Sequence, residues 1–358
     1  MAVILSARRT AVVPRGGAFA RLSVEDMAAP VLLACLADAG VGAPDEVICS
    51  NAIGLGGNPA RRIALAAGLP QQVGGLTIDR QCAGGLDAIL LARALVDSGQ
   101  ARLVLAGGVE SYTRRPLRFR TDPDGGAPQP YEQAPFTPWP DRDPDMAEAA
   151  ALLAEVERLS RAEQEAFAIE SHAKALARST WPEIVPLAGQ GRDAFARALT
   201  PAIAARAKPI AGTVTAATAA VAADAAAFCL VASDDLWRAG ALRILAGSTL
   251  GDDPSQPGLA PVPAIRAALT ASGTGAADLA QVEVMEAYAV QAMACVTHAG
   301  LNPATVNPGG GALSRGHPIG ASGAILAVRL FHDLRRGRGL AAIASAGGIG
   351  SALVVERP

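Results

Sequence analysis

Apolar positions along the chain fall into two recurring patterns. Short apolar runs at 3–6, 46–49, 77–79 and 102–106 read as buried strands, and longer stretches with helical spacing lie between them, at 24–39, 58–67 and 84–98. Strands alternating with helices of that length build βαβ units around a largely parallel, buried sheet, so the pattern predicts an α/β fold. From residue 112 the alternation breaks. Residues 112–145 are crowded with Pro, Gly and Asp, including Arg120-Thr121-Asp122-Pro123-Asp124-Gly125-Gly126, and read as an inserted loop. Ser160-Arg161-Ala162-Glu163 is a capping box that opens a helix. Phe167, Ile169 or Glu170, and Leu176 continue it toward Trp181-Pro182, where proline predicts its end. Residues 189–211 are Ala-rich and poorly periodic, a connector, and the βα alternation resumes at 242–246 and runs to the terminus.

The chain also repeats itself. Cys82-Ala83-Gly84-Gly85-Leu86 leads through a helix to the strand 102–106 and then Gly107-Gly108. Gly320-Ala321-Ser322-Gly323-Ala324 leads through a helix to 340–344 and then Gly347-Gly348-Ile349. Both segments read Gly-rich turn, helix, strand, Gly-Gly, which predicts two related halves packed face to face. Cys82 then stands in the first half where Gly320 stands in the second.

Composition narrows the functional classes. At 358 residues with 51% apolar and 4% aromatic content, the chain suits small-residue α/β packing rather than an aromatic-rich β-sandwich. A net charge of −2 and a pI near 6.1 provide no positive field to recruit nucleic acid or an anionic membrane. The five cysteines (Cys35, Cys49, Cys82, Cys229, Cys295) are scattered and odd in number, which argues against a disulfide framework or a zinc site and for a reducing compartment. Ala2-Val3-Ile4-Leu5 is followed by Arg8, Arg9 and Arg15 rather than by a long apolar segment, and the expected location is the cytoplasm.

Two positions carry the chemistry. Cys82, in Arg80-Gln81-Cys82-Ala83-Gly84-Gly85-Leu86, is expected at a helix N-terminus, where unpaired N–H groups favour thiolate. Its residue type alone is equally compatible with a small buried hydrophobe. His317 stands between Gly316 and Pro318, outside regular structure, and the glycines after it, Gly320 to Gly323, are expected to let an acyl or pantetheine group approach the backbone. His172, His298 and His332 read as solvated helix residues. Arg114, Arg115, Arg118 and Arg120 read as a solvated loop face, with phosphate binding the less favoured alternative.

These segments resemble the thiolase family of acyl-CoA C-acyltransferases over nearly the whole chain. The match rests on Arg80 to Leu86, on Ala106-Gly107-Gly108-Val109-Glu110-Ser111, and on Gly212-Thr213-Val214-Thr215-Ala216. Its most specific part runs from Asn307 through Gly309-Gly310-Gly311 to Gly316-His317-Pro318-Ile319-Gly320-Ala321-Ser322-Gly323-Ala324. The resemblance implies two βαβαβαββ halves in an αβαβα layered core. Residues 1–111, completed by part of 212–238, would form the first half, 112–211 an inserted loop domain, and 239–358 the second half. It further implies that Cys82 takes the acyl group, that His317 assists, and that the backbone N–H groups of Cys82 and Ala346 meet the oxyanion. Gly316, Gly320, Ser322 and Gly347 would contact substrate. Acyl-CoA or a carrier-protein thioester would be the substrate, with no permanent cofactor and no metal. The expected assembly is a homodimer or homotetramer, with a further protein partner left open.

Two departures limit the expected chemistry. Met285-Glu286-Ala287-Tyr288 stands where the family usually has Asn-Glu-Ala-Phe, and Ala344 falls where it has a second cysteine. The family's acid/base for α-carbon chemistry is therefore absent, while acylation of Cys82 requires neither position. The reading is a thiolase-like acyltransferase without standard thiolytic or Claisen chemistry. A non-catalytic acyl-CoA-binding or scaffold subunit, and a thioesterase, are the alternatives.

Overall fold

The computed structural model describes residues 1–54 and 56–358. Its longer strands are β1 (Ala2–Arg9), β2 (Glu46–Ser50), β3 (Gly74–Ile78), β4 (Leu103–Glu110), β5 (Ala223–Ser233), β6 (Leu242–Gly251), β7 (Leu279–Val284), β8 (Gly337–Ser345) and β9 (Ile349–Arg357). They form one sheet in the order β7-β8-β9-β6-β1-β5-β4-β2-β3. The order reads as two similar halves meeting at β1 and β6, which pair only through Val3↔Arg243 and Ile4↔Leu242. Even the missing edge strand of the second half has a trace: Val306 bridges β7 in parallel at Val282, as β3 lies beside β2. The sheet is less parallel than expected. β2 pairs in parallel with β3 and β4, and β7 with β8, but β5 and β9 return antiparallel and link each half inward.

The longer helices are α1 (Val24–Ala39), α2 (Pro59–Ala66), α3 (Gly84–Asp97), α4 (Met146–Val156), α5 (Arg161–Ala177), α6 (Pro261–Ser272), α7 (Ala289–His298) and α8 (Ile319–Asp333). α3 and α8 form the middle layer. Their Leu86, Ile89, Leu326 and Val328 share a buried core with Ile48 and Val104 of the first half and with Leu242, Ile343 and Leu353 of the second. α1 and α2 cover the outer face of the first half through Leu32 and Ile63 against Val47 and Phe228. α6 and α7 cover the second through Ile265 and Cys295 against Val282 and Leu340. The result is the αβαβα layering of a thiolase-like fold, and each fully buried Leu, Ile or Val in it contributes about 1.5–3 kcal/mol.

The glycines of the repeat explain how close that middle layer packs. A Cβ on Gly85 would lie 2.7 Å from the Ala324 nitrogen, and one on Gly323 would lie 2.5 Å from the Leu86 nitrogen. Two helix backbones therefore touch at the very positions where the sequence suggested room for substrate, which corrects that expectation.

Two local details are settled by the structure. α4 begins directly where the loop of residues 112–145 ends, and Asp145 caps it by accepting from the Ala147 and Glu148 N–H groups. α5 opens on the predicted Ser160–Glu163 box but stops at Ala177, before Trp181-Pro182. Arg178 turns extended because its guanidinium is drawn to Glu183 and Asp333 and lies over the Trp181 ring. No helix among the described residues is long and apolar enough to cross a membrane.

Candidate active site

Cys82 sits in a 3₁₀ turn, Gln81–Ala83, directly before α3. Gln81 adopts a left-handed conformation (φ 47°), unusual for a residue with a side chain. Asp79 holds it there, its Oδ1 accepting from both the Gln81 backbone N–H (2.8 Å) and the amide Nε2 (3.0 Å). His317 lies in the turn before α8, where its N–H donates to the Val221 carbonyl at 2.8 Å. Gly316 precedes it at φ 110°, a conformation side chains rarely adopt. Contact between α3 and α8 then brings together two residues 235 positions apart: His317 Nε2 is 3.2 Å from Cys82 Sγ.

The proton positions follow from the neighbours. Ser322 Oγ donates to the Pro318 carbonyl at 3.0 Å and lies 2.7 Å from His317 Nδ1. With its proton committed to Pro318, the serine oxygen accepts from Nδ1–H, which leaves Nε2 as a lone pair aimed at the Cys82 thiol. Burial pushes the thiol up to about 12, opposed by the backbone N–H groups of Cys82 and Ala346, which reach its sulfur. Burial also lowers His317 to about 4. The resting pair is therefore neutral thiol and neutral imidazole. Desolvation outweighs the helix N-terminus, which corrects the expectation of a standing thiolate.

Both residues open into a cavity of about 320 Å³. Ala344 and Ala346 line it from the end of β8, and Tyr112, Tyr288 and Gln291 line it from the side. Met146, Ala149 and Leu153 of α4 close it from the inserted segment. Gly316, Gly320, Ser322 and Gly347 are not among its lining residues. Gly320 donates its N–H to Glu110 Oε2 at 3.0 Å and packs on Ser50 and Asn51; a Cβ on Gly347 would sit 3.2 Å from the Phe136 carbonyl. Ser322 acts on His317 rather than on the cavity.

The two substituted positions differ in placement. Met285 is 1% exposed in the central core and presents no polar atom to the cavity, whereas Ala344 faces it with a methyl group. Ser345 cannot stand in, because its hydroxyl donates to the Arg80 carbonyl at 3.0 Å.

Other sequence expectations are redistributed. His172 is buried at 1% exposure and accepts the Arg197 N–H at Nδ1, and the His332 ring bonds the Ala7 carbonyl at 2.7 Å; of the three histidines read as solvated, only His298 is exposed. The arginine cluster is a set of tethers. Arg114 donates to the Arg21 carbonyl, Arg115 to that of Tyr112 and to Glu132, Arg118 to those of Ala52 and Ile53, and Arg120 lies over Tyr131. Loop backbone left without secondary structure needs such donors, and these guanidinium groups supply them.

Sequence reading passed over a buried ion cluster that fixes α8 to the inserted segment. Glu183 takes Arg9 and Arg329, both fully buried, and Arg178; Asp193 takes Arg9 a second time. Burial alone would raise Glu183, but the three guanidinium groups hold it far below the usual carboxylate range. Only Arg8-Arg9 inside an apolar strand signals this in sequence.

Comparison with known proteins agrees along the whole chain. The family descriptions "Thiolase, N-terminal domain" and "Thiolase, C-terminal domain" match residues 2–235 and 240–357. A Bacillus subtilis relative named acetyl-CoA C-acetyltransferase YhfS is 38% identical, with 99% of each chain covered. A Staphylococcus epidermidis relative named acetyl-CoA C-acetyltransferase VraB is 34% identical over 99% of this chain and 98% of its own. The crystal structure of the Bacillus anthracis acetyl-CoA acetyltransferase superposes with a TM-score of 0.89 at 31% identity, covering 99% of this chain and 98% of that one.

Proposed function

This chain belongs to the thiolase family of acyltransferases, and on that premise we propose that Cys82 accepts an acyl group from an acyl-CoA as a thioester, with His317 moving the proton. The observation that carries the reading is the Cys82–His317–Ser322 relay at 3.2 and 2.7 Å. As Sγ attacks the thioester carbonyl, its proton passes to Nε2 and the new S–C bond forms. The carbonyl oxygen becomes an oxyanion within reach of the Cys82 and Ala346 N–H groups. Collapse breaks the bond to the coenzyme A sulfur, and the departing thiolate takes the proton from His317. Acyl transfer thus needs only groups that are present.

Abstraction of an α-proton lacks its base. Ala344 has no ionisable atom, the Ser345 hydroxyl is committed, and Met285 is a buried thioether without the amide of the asparagine it replaces. The acceptor is accordingly a nucleophile that needs no α-deprotonation, or a carbanion made by decarboxylation. The substrate is carried on coenzyme A, no resident cofactor takes part, and the protein works in the cytoplasm as a homodimer or homotetramer. The open edge of the sheet at β3, with exposed Leu76 close in sequence to Cys82, supports assembly on that side. Incubation with acetyl-CoA and with a longer acyl-CoA, followed by intact mass measurement, tests the reading: a single acyl adduct is expected, absent in Cys82→Ser. No adduct from either donor overturns it.

A further inference from the structure

The cavity beside Cys82 is lined by several polar side chains, one of which carries a buried donor without a partner among the described residues. Gln291 is 2% exposed; its Oε1 accepts the Ala287 N–H at 3.2 Å, which fixes the amide orientation and leaves Nε2 buried without a partner among the described residues. A buried donor left unpaired costs about 1–3 kcal/mol, so it marks a place where something else supplies the acceptor. Tyr112 and Tyr288 line the same cavity, and neither hydroxyl hydrogen-bonds within the described residues. Both rings share the lining of that cavity with Cys82 and His317. Burial raises both, Tyr288 to about 12, and each stays a protonated donor rather than a base. Asp145 adds an acceptor at the rim: the residue is exposed, and its Oδ1 caps α4.

We propose that Tyr112, Tyr288 and Gln291 form a selection site for acyl thioesters whose chain carries a hydroxyl group, an inference that rests on the acyl-transfer reading of the cavity. A hydroxyl is a small neutral group that can accept from a phenol or amide and donate to Asp145. A plain alkyl chain leaves the donors unpaired, and a distal carboxylate meets the Asp145 charge. Sites built to bond a substrate hydroxyl reject the analogue lacking it far more strongly than apolar pockets discriminate by size.

Two readouts test this on chains of matched length, 3-hydroxybutyryl-, 4-hydroxybutyryl-, butyryl- and succinyl-CoA. Acylation of Cys82 is timed by intact mass, and binding is measured by calorimetry on Cys82→Ala, where no chemistry occurs. One hydroxylated donor is expected to exceed butyryl-CoA by at least about tenfold in both, with succinyl-CoA weakest. Tyr112→Phe with Tyr288→Phe, which keeps the ring packing, brings the ratio to within about twofold. Preferential binding without any adduct sustains the selection site and removes the acyl-enzyme reading. An adduct without preference sustains acylation and overturns the selection site, as does a preference that survives both substitutions. Failure of all four thioesters to bind overturns it too.

Discussion

At the scale of residues, the site is a neutral relay rather than a standing ion pair. Burial raises the Cys82 thiol to about 12, so alkylation by iodoacetamide in the free protein climbs with pH across roughly 7 to 10 without levelling; a plateau near neutrality would show a preformed thiolate. Ser322→Ala removes the oxygen that fixes the His317 tautomer. Acylation is expected to slow by about 10- to 100-fold with the affinity for acyl-CoA retained, and the pH profile of the remaining rate to move. A variant that loses affinity and rate together would instead show a structural role for Ser322. Much of this site was legible beforehand. Cys82 and His317 stood out because each is flanked by helix-start and turn residues, and the losses at Met285 and Ala344 were plain. The direction of the Cys82 shift was not, since sequence shows a helix N-terminus but not the enclosure that outweighs it. Tyr112 and Gln291 were silent for a related reason: an aromatic or an amide on an apolar element reads as core until a cavity is seen beside it.

At the scale of elements, catalytic geometry is a by-product of how closely α3 and α8 pack. Gly323→Ala places a methyl group 2.5 Å from the Leu86 backbone nitrogen, and backbone on both sides leaves nothing flexible to yield. We expect a loss of at least about 2 kcal/mol in urea unfolding and a matching loss of acylation, because the same contact sets the Cys82–His317 distance. Wild-type stability in that variant would show the interface to be looser than described. His172 gives a second handle. Burial, assisted by the Arg197 charge, lowers it to about 4 from 6.5, so the unfolded chain binds more protons between those values and stability falls as pH drops through them. His172→Gln should therefore lose less stability than the parent between pH 6.5 and 4; equal losses would contradict the burial of its neutral ring. The strand–helix alternation predicted α1 to its end residues, since Ser23 and Gly40 cap it locally. The end of α5 escaped, because Arg178 answers to Glu183 and Asp333, partners that only the tertiary structure brings near.

At the scale of the molecule, two similar halves carry an asymmetric site. The Gly-rich repeat foretold the pseudo-symmetry, and the structure shows its use: β1 and β6 meet at a narrow seam while α3 and α8 face each other across it. One half supplies the thiol, the other the imidazole and the Ala346 N–H, and the inserted segment closes the cavity through α4. Within that frame Ala344 is the single cavity-facing position at which a methyl replaces an expected thiol. Ala344→Cys combined with Met285→Asn should therefore gain thiolysis of acetoacetyl-CoA above the parent; no gain would place the deficit elsewhere. The central claim, acyl transfer at Cys82 without chemistry at the α-carbon, is tested most directly by incubating the parent protein with acetyl-CoA in D₂O and reading the isotopic content of both the Cys82 adduct and the recovered acetyl-CoA. The account predicts an acetyl adduct whose methyl group keeps its protons; deuterium entering that methyl group, or no adduct at all, would contradict it.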